Sequence, residues 1–217
     1  MSELGLVTTR TKANPGLVEW LFRPFTYLAG ARALGLGIAA ILLAGLLASV
    51  GNTHFDGVLD VHTGRAAPAW FFLSEGFIAW LSLAVILFAL GKLTSRSAFR
   101  AVDLFGTQAM ARWPMVITAL AVLTPPYQRF ITAVAREPAT LAGLTALPLS
   151  DIIVGVLVLI VMLAMLVWMV ALMYQSYRVC CCPRGAKGII TFVIGLLIAE
   201  TLSKVGILTL LSRGGLL

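Results

Sequence analysis

Ile152-Ile-Val-Gly-Val-Leu-Val-Leu-Ile-Val-Met-Leu-Ala-Met-Leu-Val-Trp-Met-Val-Ala-Leu-Met-Tyr174 runs for 23 residues without a charge. A helix needs about 20 apolar residues to cross the hydrocarbon core of a bilayer. This stretch meets that length, and it sets the class of the whole chain. Other blocks resemble it, and the apolar residues are gathered into blocks rather than amphipathic stripes. Only 12% of the 217 residues are charged, about half of what a soluble domain of this size carries. The reading is an all-α, polytopic membrane helix bundle, with no soluble domain large enough to bury its own core.

Outward from that block, four further spans are read. Their approximate bounds are 28–50, 70–91, 109–126 and 188–211, with the quoted block at 151–175. The span at 109–126 is the weakest, because Trp113–Thr124 is short and Pro125-Pro126 follows it. It must borrow turns from before Trp113 or continue kinked through Phe130 and Val134. Residues 1–13 read as a flexible tail and 14–217 as one membrane domain. Asn14-Pro15 suits a helix start. Leu17 to Tyr27 then reads as a short amphipathic helix lying in the interface. Residues 97–112, with Phe99, Val102, Phe105 and Ala109 three or four apart, read as a second such helix. In the first span, Ala31, Gly35 and Ala39 form one line of small residues and Ala40, Ala44 and Ala48 another. Such lines allow close helix approach.

Orientation follows from the basic residues. Arg10, Lys12, Arg23, Arg32, Lys92, Arg96, Arg100, Arg112, Arg178, Arg184 and Lys187 fall on one side of this topology. Arg65, Arg129, Arg136 and Arg213 fall on the other. Loops rich in Lys and Arg stay cytoplasmic. Two basic loops flank spans three and four on the same side, so span three must cross as span four does. The expectation is five crossings, with the N-terminus inside and the C-terminus outside. The membrane would be the inner membrane of a bacterium, or an endomembrane in a eukaryote. The net charge of +7 lies beside apolar blocks, so it points to lipid headgroups rather than nucleic acid. Lys92, Arg96, Arg100, Arg112, Arg178, Arg184 and Lys187 are expected to form a cytoplasmic basic surface. Cys180, Cys181 and Cys182 are the only cysteines. Adjacent cysteines without distant partners exclude a disulfide framework and suit a reducing compartment.

Further residues support a resemblance. Ser97-Ala-Phe-Arg100, and Phe105-Gly106 through Trp113-Pro114, look like a basic cytoplasmic hairpin in which a Gly-containing helix leads to a Pro opening the third span. Trp168 to Tyr177, followed by Gly185-Ala-Lys-Gly188 and Phe192-Val-Ile-Gly195, look like the matching fourth-to-fifth junction. On these stretches the chain, over roughly residues 15–212, resembles the Yip (Ypt-interacting protein) domain family in its bacterial branch. The resemblance implies a five-span fold and a non-enzymatic membrane role. Eukaryotic members act in vesicle trafficking with small GTPases. The acidic N-terminal region of those members is missing here, so that role is not carried over.

Two groups of residues could carry chemistry. Glu75, Glu200 and Lys204, with Ser203 beside them, are polar residues inside spans, where an ionised group costs at least about 2.5–3.5 kcal/mol. Glu200 and Lys204 are four apart and share a helix face. Glu75 and Lys204 should lie at similar depth, which predicts that spans two and five are neighbours and that these residues pair. In the polar loop 51–69, His54, Asp56, Asp60 and His62 are possible metal ligands, brought together by a hairpin turning at Gly57. Otherwise the loop is a solvated connection. No phosphate loop, dinucleotide fingerprint or His-Glu-x-x-His motif is present, and no cofactor is implied. The expected role is a non-enzymatic scaffold or adaptor in the bilayer, binding other proteins or further copies of itself. The alternative is a small transporter or channel using the intramembrane Glu and Lys.

Overall fold

The computed structural model describes residues 16–95, 98–136, 142–183 and 185–213. Asn14, Pro15, Arg96, Ser97 and Arg184 therefore lie outside the described residues, as do Arg10, Lys12 and the tail 1–13. The described residues contain eight α-helices: α1 Leu17–Phe22, α2 Gly30–Val50, α3 Ala69–Thr94, α4 Ala101–Met110, α5 Pro114–Ala121, α6 Pro125–Arg136, α7 Leu149–Cys181 and α8 Gly185–Arg213. Four of them (α2, α3, α7 and α8) are long and apolar enough to cross a membrane. Their surfaces away from the bundle carry exposed Leu, Ile and Val, such as Leu157, Ile160 and Leu163 on α7 and Leu197 and Leu202 on α8. Such a surface is stable against lipid and not against water.

The N-terminal segment folds back on α7. Helix α1 is short, starts at Gly16 as its cap residue, and ends at Arg23 before the 3-10 turn Pro24–Thr26. Phe25 is buried in the core. The Trp168 indole donates to the Leu21 carbonyl at 3.2 Å, and its ring stands 5.8 Å from that of Phe22.

Helices α4 and α5 together run beside α2 in the same direction. Gly106 meets the Gly30 carbonyl and Leu34, Gly37 meets the Ala109–Met110 backbone, and Gly51 meets Val122 and Leu123. The two helices thus match the whole length of α2. Between them the backbone tightens: Arg112 N–H bonds the Ala109 carbonyl at 3.1 Å, and Trp113 N–H bonds that of Met110 at 3.1 Å. Pro114 is the reason. It has no N–H for the Met110 carbonyl, which takes the Trp113 donor instead, and the proline opens the next helix.

This corrects one expectation. Residues 101–110 form a helix inside the bundle and not an interfacial one. Leu104, Gly106, Thr107, Gln108 and Ala109 of α4 are buried among the long helices. The segment expected near 109–126, with turns borrowed from before Trp113, lies on a helical path that begins at Ala101, and Pro125 starts the separate amphipathic α6. That helix packs Tyr127 and Phe130 against Val158 and Met162 of α7.

Small residues do bring α2 close to α4, but along another line. Gly30, Ala33, Gly37, Ala44 and Ala48 are buried, while Ala31, Gly35 and Ala39 face outward. A strict spacing of four drifts around a helix of 3.6 residues per turn, so the face kept toward a partner alternates threes and fours. Ala44 and Ala48, from the second predicted line, stay within it.

Helix α8 lies along α3 in the opposite direction, with Gly195 against Leu87 and Leu90 and Gly206 against Ile78. Spans two and five are therefore neighbours. A buried polar ladder ties α4 to α7: the Thr107 and Ser176 hydroxyls lie 2.6 Å apart, and Gln108 Nε2 donates to Ser176 Oγ at 3.0 Å and to the Met173 carbonyl at 2.9 Å.

Candidate functional site

The α2–α3 loop is not a solvated connection. Thr53–His54 and His62–Thr63 form a two-stranded antiparallel ladder in which His54 faces His62. The segment between them enters the bundle. Phe55 and Val58 are buried in the main core, and Leu59 to Val61 line a cavity together with Met162, Leu163 and Leu166, midway along α7. Gly57 rests on the Glu200 carboxylate so closely that a Cβ there would stand 2.5 Å from Oε1. Only glycine fits.

The three ionisable groups singled out inside the helices, Glu75, Glu200 and Lys204, are each bonded by this loop. Glu75 is 1% exposed. Its Oε1 lies 2.8 Å from His54 Nδ1, and its Oε2 accepts the Phe55 N–H at 3.2 Å. Glu200 Oε2 accepts the Leu59 N–H at 2.9 Å. Lys204 binds Asp60 and lies 3.8 Å from Asp56 and 3.9 Å from Glu200. Ser203 is buried and donates to the Glu200 carbonyl at 2.9 Å. Glu75 and Lys204 do not pair with each other. The loop supplies the counter-charge that the sequence reading sought on the facing helix.

Both ring nitrogens of His54 meet acceptors, Glu75 at Nδ1 and the Arg65 carbonyl at Nε2, 2.9 Å away. A neutral imidazole has one N–H and cannot donate to both. Burial works against the charged ring, but these two acceptors outweigh it and hold the His54 pKa above its ordinary value. The ring stacks on Phe72 at 4.6 Å and on His62 at 5.5 Å. His62 is likewise raised, chiefly by Asp56. Burial pushes Asp56 up, but His62 and Lys204 bring it below the usual carboxylate range.

The predicted metal set is only partly assembled. Ligand atoms of Asp56, Asp60 and His62 lie within 4.8 Å of one another, whereas His54 turns to Glu75. The Lys204 ammonium stands where a cation would neutralise the two aspartates. Beside the group, a cavity of about 280 Å³ is lined by His54, Asp56, His62, Arg65 and Glu75, with Phe71 and Ile207.

The expected basic surface is altered at one position. Lys92 lies over the rings of Phe88 and Phe99, Arg100 chelates Asp103, Arg178 lies 5.9 Å over Tyr174, and Lys187 is exposed. Arg112 is not on that surface. It sits at the α4–α5 break, 4% exposed, level with Ile41 to Gly45 of α2. Its hydropathy and its place beside Trp113 gave no sign of this; the following Pro114, which breaks the helix there, was the usable signal. Cys180 to Cys182 are free thiols, and Cys182 alone is exposed.

No family model, curated protein or solved structure matches the chain.

Proposed function

We propose that the protein is a five-span membrane protein that acts as a non-catalytic scaffold or adaptor, with its N-terminus on the cytoplasmic side. The alignment of α4 and α5 with the full length of α2 supports a fifth crossing. With Arg112 taken from the inner count, ten basic residues still oppose four, which supports the orientation. The observation that carries the role is the engagement of Glu75, Glu200 and Lys204 by the inserted loop. These charges fasten a loop into the bundle and, among the described residues, leave no row of free groups along a path. Exposed basic residues and apolar helix faces then offer surfaces suited to lipid and protein neighbours.

A second reading, a small transporter or channel, is favoured by one observation: the helix break at residues 111–113, at mid-depth, beside Arg112. Broken helices at that depth are where transporters bind solutes. Crosslinking and co-purification from native membranes separates the two. A recurrent protein partner, lost when Lys187 and Arg178 are reversed to Glu, fits the scaffold. Absence of any partner, together with ion flux in proteoliposomes, would replace it with the second reading.

A further inference from the structure

Lys204 faces three carboxylates. It binds Asp60 and lies 3.8 Å from Asp56 and 3.9 Å from Glu200. Three carboxylates less one ammonium leave this group a charge of −2 while His62 is neutral. Lys204 holds Asp60 by one oxygen, Oδ2. The other, Oδ1, faces His62 Nδ1 at 3.7 Å.

His62 Nδ1 also stands 3.4 Å from Asp56 Oδ1. That oxygen is buried and has no hydrogen-bond partner among the described residues. The two atoms are therefore close without being aligned as donor and acceptor. Ligands of one ion meet in this way, each directed at the ion and not at its neighbour. Zinc binds imidazole and carboxylate at about 2.0–2.2 Å, which sets adjacent ligand atoms of a tetrahedral site about 3.3 Å apart. The observed 3.4 and 3.7 Å are close to that spacing, and ligand atoms of Asp56, Asp60 and His62 all lie within 4.8 Å of one another. Two of the ligands are also held from behind. Lys204 orients Asp60, and the His54 ring, fixed by Glu75, stacks on His62 at 5.5 Å. Outer contacts of this kind fix ligand orientation in metal sites. The cavity of about 280 Å³ reaches Asp56 and His62. It gives an ion a way in and leaves room for water at a fourth position.

We propose that Asp56, Asp60 and His62 bind one zinc ion, which locks the inserted loop in place. Magnesium and calcium take oxygen ligands, and the imidazole in the set favours zinc over both. The site stands on the loop geometry whether the chain is a scaffold or a transporter. An ion bound by the folded chain stabilises it by mass action.

The test is zinc titration of the purified, untagged full chain in detergent, against a competing chelator. One ion per chain is expected, with a rise in the unfolding midpoint of several degrees that magnesium and calcium do not reproduce. Asp56→Asn and His62→Asn should each weaken binding about tenfold or more. The combined change Cys180→Ser, Cys181→Ser and Cys182→Ser should leave it unaltered. Should the ligand variants fail to fold, cobalt(II) in the wild-type chain decides the same point. A visible band that zinc removes, without the near-ultraviolet band of a thiolate ligand, supports the site. A thiolate band, or zinc binding lost with the cysteines, places the ion at the thiols and overturns it. So does zinc binding that does not saturate, or that magnesium matches. Undiminished binding in both Asp56→Asn and His62→Asn also overturns it.

Discussion

His54 Nδ1 and Glu75 Oε1 meet at 2.8 Å in the buried interior, joining a loop strand to the second long helix. This contact, the Phe55 N–H on the other Glu75 oxygen, and the Arg65 carbonyl on His54 Nε2 make a continuous fastening. Breaking a buried pair by removing one partner leaves the other charge uncompensated and costs about 3–5 kcal/mol. His54→Ala is therefore expected to lower the unfolding midpoint strongly, and Glu75→Gln, which keeps a hydrogen-bonding group in place, to lower it less. Equal midpoints for wild type and His54→Ala would show that the loop is not fastened there.

The same histidines set a pH dependence. The folded pKa values of His54 and His62 are raised, so their stabilisation is complete below the unfolded value of about 6.5 and fades as pH rises through the folded values. Asp56 is lowered. Its contribution is present above the unfolded carboxylate value of about 3.9 and is lost as pH falls through the lower folded value. Unfolding midpoints should fall from pH 6 to pH 8.5, with a shallower fall in His54→Asn and His62→Asn. A midpoint that rises over this interval contradicts the assignment.

Charge exchange separates the observed pairing from the one the sequence suggested. Lys204 binds Asp60 across the loop, not Glu75. Lys204→Asp combined with Asp60→Lys should recover expression and stability lost in each single change. Lys204→Glu combined with Glu75→Lys should recover nothing. Rescue in the second pair and not the first would reverse the contact map at this point.

Two glycines of one helix should differ sharply. A side chain at Gly37 would strike the Ala109–Met110 backbone, whereas Gly35 has nothing within 4 Å. Gly37→Leu must separate α2 from α4, and overpacking of this kind costs about 1–3 kcal/mol or more. Gly35→Leu places one more apolar group on the outer face and should be tolerated. Folded yield from size-exclusion profiles in detergent checks both, and equal yields would mean that α4 does not pack on α2.

Sequence alone determined the class of this protein and the location of its long helices. Hydrophobic length is a local, additive property, and the uncharged run from Ile152 to Tyr174 could belong to little else. The same holds for the neighbourhood of Glu75, Glu200 and Lys204, because a charge inside an apolar helix must face the protein. Which groups answer those charges was decided by tertiary structure. His54, Asp60 and the Leu59 N–H lie in a stretch that is polar enough to read as solvated, and its insertion depends on two buried anchors, Phe55 and Val58, and on a glycine seated on a carboxylate. The burial of Arg112 was hidden for the same reason. Its neighbours in sequence suggested a surface, and only the alignment of a broken helix beside α2 carried it inside. Pairing of this kind joins residues from 21 to 144 positions apart, which no local pattern records.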